Sequence, residues 1–241
     1  MRDVLYYRDE NSSTELIITT DNSGGVGLKE QDLVRVPNDV VGYYAARVAL
    51  MEHLSVGGSP QMVIVQNFTG DHAWNEYKSG INKAMNELGL DSVPMIGSSE
   101  TNFTLLQSAM SVTVIGKSVV KRDHTPVHAE FAVIGTPLIG QDVVNMEDKV
   151  LPLTLFNYLL SQKGIYEIVP IGSKGIQAEW DMLCNRNKLP WLGIRADDSI
   201  SLKQSAGPST CVLISFDPAK LAYIKKATGS YFHLLSISAD E

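Results

Sequence analysis

Four carboxylates of this 241-residue chain sit where an acidic group needs a reason: Asp3, Asp21, Glu52 and Glu100. Asp3 precedes and Asp21 follows two strand-like runs, residues 4–7 and 15–20, separated by a polar turn at 9–14. Antiparallel pairing about that turn sets both aspartates at one end of a hairpin. Neighbouring carboxylates repel, and a divalent cation between them relieves the repulsion. Glu52 lies on or beside the apolar stripe Val40, Val41, Tyr44, Val48 and Met51, where a carboxylate must reach water, pair or bind a metal. Glu100 occupies the polar loop 97–102. Each acid also has an ordinary reading, as a turn residue for the aspartates and a solvated group for the glutamates. Together they form the oxygen-only donor set that magnesium takes, with water and substrate phosphates completing its shell.

Directly after Asp21 comes the loop Asn22-Ser23-Gly24-Gly25-Val26-Gly27. Its backbone N–H groups can face phosphate oxygens. Asp21, Ser23, Gly24, Gly25 and Gly27 are therefore the expected nucleotide-phosphate contacts, although the spacing is neither a P-loop nor a dinucleotide fingerprint. Asp71 follows Gly70 at the end of a strand and is the candidate catalytic base or hydroxyl-orienting group, a helix cap being its alternative. Lys174 and His72 read as solvated residues. His124 and His128 have the spacing of a helical metal pair, but Pro126 between them prevents the helix turn.

The elements that must position these groups follow from periodicity. The loop at 21–27 reads as flexible. A helix follows Pro37 and Asn38 and stops near Gly57-Gly58-Ser59-Pro60, and another spans 75–88. Strands are expected at 62–66, 93–96 and 105–115. The charged stretch 117–125 marks a boundary, giving domains 1–122 and 123–241. The second half reads as a strand at 128–134, a helix at 149–162 capped by Asp148, and a strand at 165–171. A turn at 172–175 leads into a helix, and strands at 210–216 and 231–237 flank a short helix after Pro218. The fold class is α+β, with α/β layering.

Composition narrows the chemistry. A 44% apolar and 20% charged chain folds normally, and a net charge of −7 disfavours bare nucleic acid as a partner. No apolar run at the N-terminus suggests a leader or a membrane span. Two cysteines, Cys184 and Cys211, make no disulfide framework or metal set, so a reducing, cytoplasmic setting is expected.

The same residues resemble the superfamily of aminoimidazole ribonucleotide synthetase, thiamine-monophosphate kinase, selenophosphate synthetase and the hydrogenase maturation protein E. Its members carry an early Asp, here Asp3, and a Thr-Asp at the hairpin's end, here Thr20-Asp21. They carry a helical Asp eight residues before a Pro, and Glu52 stands so before Pro60. They carry Gly-Gly-Asp/Glu-Thr ahead of a strand ending Val-Thr-Val-Ile-Gly. The counterpart here is Ser98-Ser99-Glu100-Thr101, then Val112-Thr113-Val114-Ile115-Gly116. Ile171-Gly172-Ser173-Lys174-Gly175 is similar to a Ser-Asp-Gly turn, with Lys174 in the place of an Asp, and Ala206-Gly207-Pro208 to a later Gly-turn. The match is tighter over residues 1–116 than over the second half, which is short for the family.

Asp21-Asn22-Ser23-Gly24-Gly25, Ala49-Leu50-Met51-Glu52, Asn67-Phe68-Thr69-Gly70-Asp71 and Gly97-Ser98-Ser99-Glu100 are most similar to α-ribazole kinases. The resemblance implies a two-domain fold whose first-domain sheet forms a barrel across a homodimer. It also implies ATP and Mg2+ as cofactors, and phosphorylation of the 5′-hydroxyl of α-ribazole in cobalamin salvage. Another acceptor of the superfamily, such as thiamine monophosphate, and a non-catalytic ATP-binding role are the alternatives.

Overall fold

Period-two runs rich in valine and isoleucine form the strands of the computed structural model, which describes residues 4–8, 13–122, 124–190 and 193–238. The chain divides into two compact units, Met1–Lys121 and Arg122–Glu241.

In the first unit the elements run β1 (Val4–Arg8), β2 (Glu15–Gly24), β3 (Val26–Gly27), β4 (Val34–Arg35), α1 (Asn38–Ser55), β5 (Gly58–Asn67), α2 (Trp74–Glu87), β6 (Met95–Ser99) and β7 (Ala109–Ser118). The main sheet has the order β1-β2-β7-β5-β6. All its neighbours are antiparallel except β5 and β6, which are parallel and joined through α2. One face, carrying Ile17, Thr19, Val63, Val65, Val112 and Val114, is buried. The helix α1 packs against β2, β5 and β7, and α2 packs on α1. The two helices approach closely because glycines stand at the crossing: a Cβ on Gly80 would lie 1.8 Å from the Asp39 carbonyl oxygen, and one on Gly42 2.5 Å from that of Tyr77. The sheet of a single chain is open, with β1 and β6 at its edges among the described residues.

Four boundaries differ from the sequence expectation; one is β6, which takes in Gly97 to Ser99 of the expected polar loop 97–102 because they pair with Val65 to Asn67 of β5. Asp21 to Gly24 are not flexible loop. They continue β2, because β7 pairs with it residue by residue from Leu16 opposite Lys117 to Gly24 opposite Ala109. β7 begins at Ala109 rather than 105, since the preceding residues are held in a loop by side-chain hydrogen bonds. β5 begins directly at Gly58. The turn before it needs Gly57, whose φ is +81° and whose added Cβ would lie 1.6 Å from the Val120 carbonyl oxygen.

The second unit contains β8 (Glu130–Gly135), α3 (Gln141–Asn145), α4 (Leu153–Leu160), β9 (Ile165–Pro170), α5 (Gly175–Asn187), β10 (Gly193–Arg195), β11 (Cys211–Phe216), α6 (Leu221–Thr228) and β12 (Phe232–Ser238). Its sheet, β10-β12-β8-β11-β9, is antiparallel throughout. The strands β8 and β11 are buried on both faces. On one face Trp180 of α5 meets Phe131 edge-on at 4.6 Å between ring centroids. The expected helix at 149–162 starts only at Leu153, with Pro152 at its N-cap. Proline lacks an N–H and restricts the residue before it, so the turn 147–149 stays separate and Asp148 caps nothing in α4. Glu167 is buried but satisfied: it accepts from the Thr125 hydroxyl at 2.7 Å and the Asn187 amide at 2.6 Å, and pairs with Arg186. It is a structural staple, not a reactive carboxylate.

Candidate functional site

The strand register decides which candidate residues share one end of the first sheet. Ser23 on β2 lies opposite Met110 on β7, Met110 opposite Asn67 on β5, and Asn67 opposite Ser99 on β6. One residue further on, the Glu100 N–H donates to the Asn67 carbonyl at 2.7 Å. The ends of β2, β5 and β6 and the start of β7 thus form one rim, bearing Asp21, Ser23, Gly24, Asn67 and Glu100. By register Asp21 is level with Val112, Val65 and Gly97, so Glu100 lies three strand steps across and three residues further along, roughly 17 Å away at about 4.8 Å per step and 3.3 Å per residue.

Asp21 shares the helix-facing side of β2 with Thr19, whose hydroxyl donates to the Ala49 carbonyl at 2.8 Å and lies 3.4 Å from His53 Nδ1. Glu52 belongs to the same stretch of α1, half-buried with its Oε2 out of solvent. Thr19, two residues before Asp21, thus touches Ala49 and His53 of the helix that carries Glu52, and Glu100 lies further along the rim. Asp3 lies outside the described residues. Among the described residues no three His, Cys, Asp or Glu side chains gather into a metal cage. Carboxylates arranged this way fit a magnesium ion held by one or two acids with phosphates and water, and do not fit an all-protein cage.

Glu100 is held by its own loop. The N–H groups of Asn102 and Phe103 donate to its Oε1, at 2.6 and 3.2 Å, and hold its pKa below the usual glutamate value. It is therefore ionised at neutral pH. His53, adjacent to Glu52, is fully buried, and burial pushes its imidazole down to about 4, partly offset by the Ser59 backbone. It is neutral at pH 7 and adds no positive charge beside the acids.

The glycine segment is tied down by its neighbours. Ser23 and Gly24 are paired strand residues. The Gly25 N–H donates to the Ser108 carbonyl at 2.8 Å, while the Gly25 and Gly27 carbonyls accept from Leu33 and Val36. In this conformation the Gly25 N–H is committed to Ser108. Asp71 opens a short turn before α2 and is exposed; that turn has no side-chain cap, so the alternative role as a helix cap falls away. His72 and Lys174 are exposed.

Two residues organise the rim in ways the sequence does not assign: Asp32, and Asn67, which stands there only as part of a motif. Asp32 is 8% exposed and accepts from the Ser108 N–H at 2.7 Å, the Ser108 hydroxyl at 2.7 Å and the Lys29 N–H at 2.8 Å. Burial works to raise its pKa, but these bonds outweigh burial and hold it below the usual aspartate value. It fastens the loop after the glycines to the start of β7. Asn67 is also buried. Its amide donates to the Gly70 carbonyl at 2.8 Å and the Ser99 hydroxyl at 2.9 Å, and its oxygen accepts from the Thr69 N–H at 2.9 Å. One side chain so joins the turn carrying Asp71 to the strand carrying Glu100. Both residues sit in polar runs without periodicity, and only long-range pairing distinguishes them from surface residues.

No family model matches the chain, and no curated protein matches it in sequence. Solved structures match its fold. A structure of AaThiL complexed with AMPPCP and TMP aligns with TM-score 0.61 at 16% identity, over 100% of this chain and 85% of that one. Thiamine monophosphate kinase from Aquifex aeolicus aligns with TM-score 0.63 at 14% identity, over 99% and 89%. The hydrogenase maturation protein HypE from E. coli aligns with TM-score 0.65 at 11% identity, over 92% and 79%. The chain therefore shares the mixed α/β fold of thiamine-monophosphate kinase and HypE, the fold that the sequence resemblance implies.

Proposed function

We propose that this chain is a magnesium-dependent kinase that transfers the γ-phosphoryl group of ATP to a small-molecule hydroxyl, the 5′-hydroxyl of α-ribazole being the preferred acceptor. The observation that carries this reading is the rim at one end of the first sheet, where the strand ends bearing Asp21, Ser23 and Glu100 are brought together by register beside the helix that carries Glu52. The fold match to a protein complexed with the ATP analogue AMPPCP supports it.

Phosphoryl transfer asks for positioned phosphates, neutralised charge and an oriented hydroxyl, with little covalent chemistry from the protein. Asp21, Glu52 and Glu100, with Asp3 as a fourth acid, would hold magnesium, which neutralises phosphate charge. The span of roughly 17 Å between the Asp21 and Glu100 positions suits acids that serve different ions or different ends of a triphosphate, rather than a single ion. Backbone and side-chain groups at Ser23, Gly24, Gly25 and Gly27 steady the phosphates. For Gly25 this requires the Ser108 bond to open. Asp71, exposed beside Gly70, orients or deprotonates the acceptor hydroxyl.

The sheet face turned away from the helices exposes Leu5, Tyr7, Met62 and Ile96, and a homodimer covering that face in a barrel is part of the proposal. So is a cytoplasmic location. Among the described residues no helix is long and apolar enough to cross a membrane.

A second acceptor class is favoured by one specific observation, the TMP in the AaThiL complex. The deciding experiment supplies purified protein with ATP, Mg2+ and either α-ribazole or thiamine monophosphate and follows ADP. Release with α-ribazole alone is the expected result. Release only with thiamine monophosphate overturns the acceptor, and release with no acceptor of the panel overturns the kinase reading.

A further inference from the structure

The second unit carries a groove that the proposed reaction does not use. It has a volume of ≈ 500 Å³ and is lined by Arg195, Ala196, Asp197, Leu221, Lys225, Phe232, Leu234 and Ser236. These residues belong to α6, β12 and β10 and to the two positions after β10. Phe232, Leu234 and Ser236 alternate along β12 and so share a face, and Arg195 on β10 is paired directly with Ser236. Leu221 and Lys225 are one helical turn apart on α6 and form the wall. Leu234 remains 43% exposed on this floor.

The polar groups at the groove have a definite sign. Arg195 and Lys225 supply two permanent cations in a chain whose net charge is −7. The carboxylate that faces them, Asp197, accepts from the Ser199 N–H at 2.9 Å and from the Ser199 hydroxyl, with His233 Nδ1 3.7 Å away. These bonds, those from Ser199 foremost, hold its pKa below the usual aspartate value. A concave site of this volume, with an apolar floor and a few convergent polar groups, is the ordinary form of a small-ligand pocket. Guanidinium and ammonium groups on either side of that floor suit a doubly charged phosphate better than a single carboxylate.

We propose that this groove is a second ligand site, separate from the rim of the first unit, which binds a small phosphate monoester with an apolar or aromatic body. The phosphate lies between Arg195 and Lys225, and the body lies on Phe232, Leu234 and Leu221.

Calorimetric titration of the full chain with naphthyl phosphate tests this, with AMPPCP and Mg2+ present in excess so that a nucleotide site elsewhere is filled. One-site saturation is expected. Arg195→Gln and Lys225→Gln should each weaken it about tenfold. Naphthoate should bind about tenfold more weakly than the phosphate. Phe232→Leu should weaken naphthyl phosphate and leave binding of inorganic phosphate unchanged. Lys225 is exposed, so its variant should keep the wild-type circular dichroism and melting temperature, and the Arg195 variant should keep the circular dichroism. Absence of saturable binding overturns the proposal, as does binding that survives the Arg195→Gln/Lys225→Gln double variant. Equal affinity for naphthoate overturns the phosphate assignment. The titration does not use turnover, so it stands or fails independently of the kinase reading.

Discussion

Replacing Asp32 by alanine removes a buried carboxylate that accepts three hydrogen bonds, from the Lys29 N–H, the Ser108 N–H and the Ser108 hydroxyl. Two backbone donors would lose their partner at a position only 8% exposed. Each orphaned donor costs about 1–3 kcal/mol, so the expected loss is about 3 kcal/mol for the first unit. With an unfolding entropy of about 2.1 cal/mol/K per residue, that loss lowers the melting temperature of a unit of this size by roughly 12 °C. Local opening should be visible directly: amide exchange at Lys29 and Ser108 should quicken by about two orders of magnitude. Asp32→Asn keeps an acceptor for the Ser108 N–H and should lose about half as much. The pH dependence has a fixed sign. The folded-state pKa of Asp32 lies below the ordinary 3.8, so its contribution is fully present above that value and is lost as pH falls through the folded pKa. The gap between wild type and Asp32→Asn should hold steady from neutral pH into the mildly acid range and close only below about pH 4. A loss under about 1 kcal/mol for Asp32→Ala, with exchange at both amides unchanged, would refute the reasoning.

Glu52→Gln and Glu100→Gln should each reduce magnesium-dependent ADP formation by about a hundredfold or more while the melting temperature stays near wild type; unchanged turnover in both removes the metal assignment. His53 is buried neutral, with a folded pKa of about 4 against an ordinary 6.5. Its contribution is therefore full above the unfolded value and lost as pH falls from there through the folded value, at a cost of about 3 kcal/mol. Urea midpoints measured across that range should fall more steeply for wild type than for His53→Gln, and parallel slopes would contradict the burial argument.

Much of the fold is written locally. The apolar period around Val41, Ala45 and Met51 fixes α1, Gly89 ends the turn after α2, and the apolar runs at 165–170 and 211–216 become β9 and β11. The candidate acids were visible too, because a carboxylate beside an apolar stripe or at a strand end is locally conspicuous. What was not visible depended on partners far along the chain. Asp21 to Gly24 look like loop in isolation, and only β7, about ninety residues later, makes them strand. Asp32 looks like a surface acid until Ser108 closes over it.

The sequence by itself determined most of the helical and extended segments and which side chains carry the acidic oxygens, since both depend largely on residue type and short spacing. Only the tertiary structure decided that the strand end bearing Asp21 packs beside α1, which carries Glu52, while Glu100 follows a strand three places along the rim. It alone set the neutrality of the buried His53. Register, burial and hydrogen-bond supply come from non-local pairing, and a period of two or 3.6 residues holds no record of the partner strand.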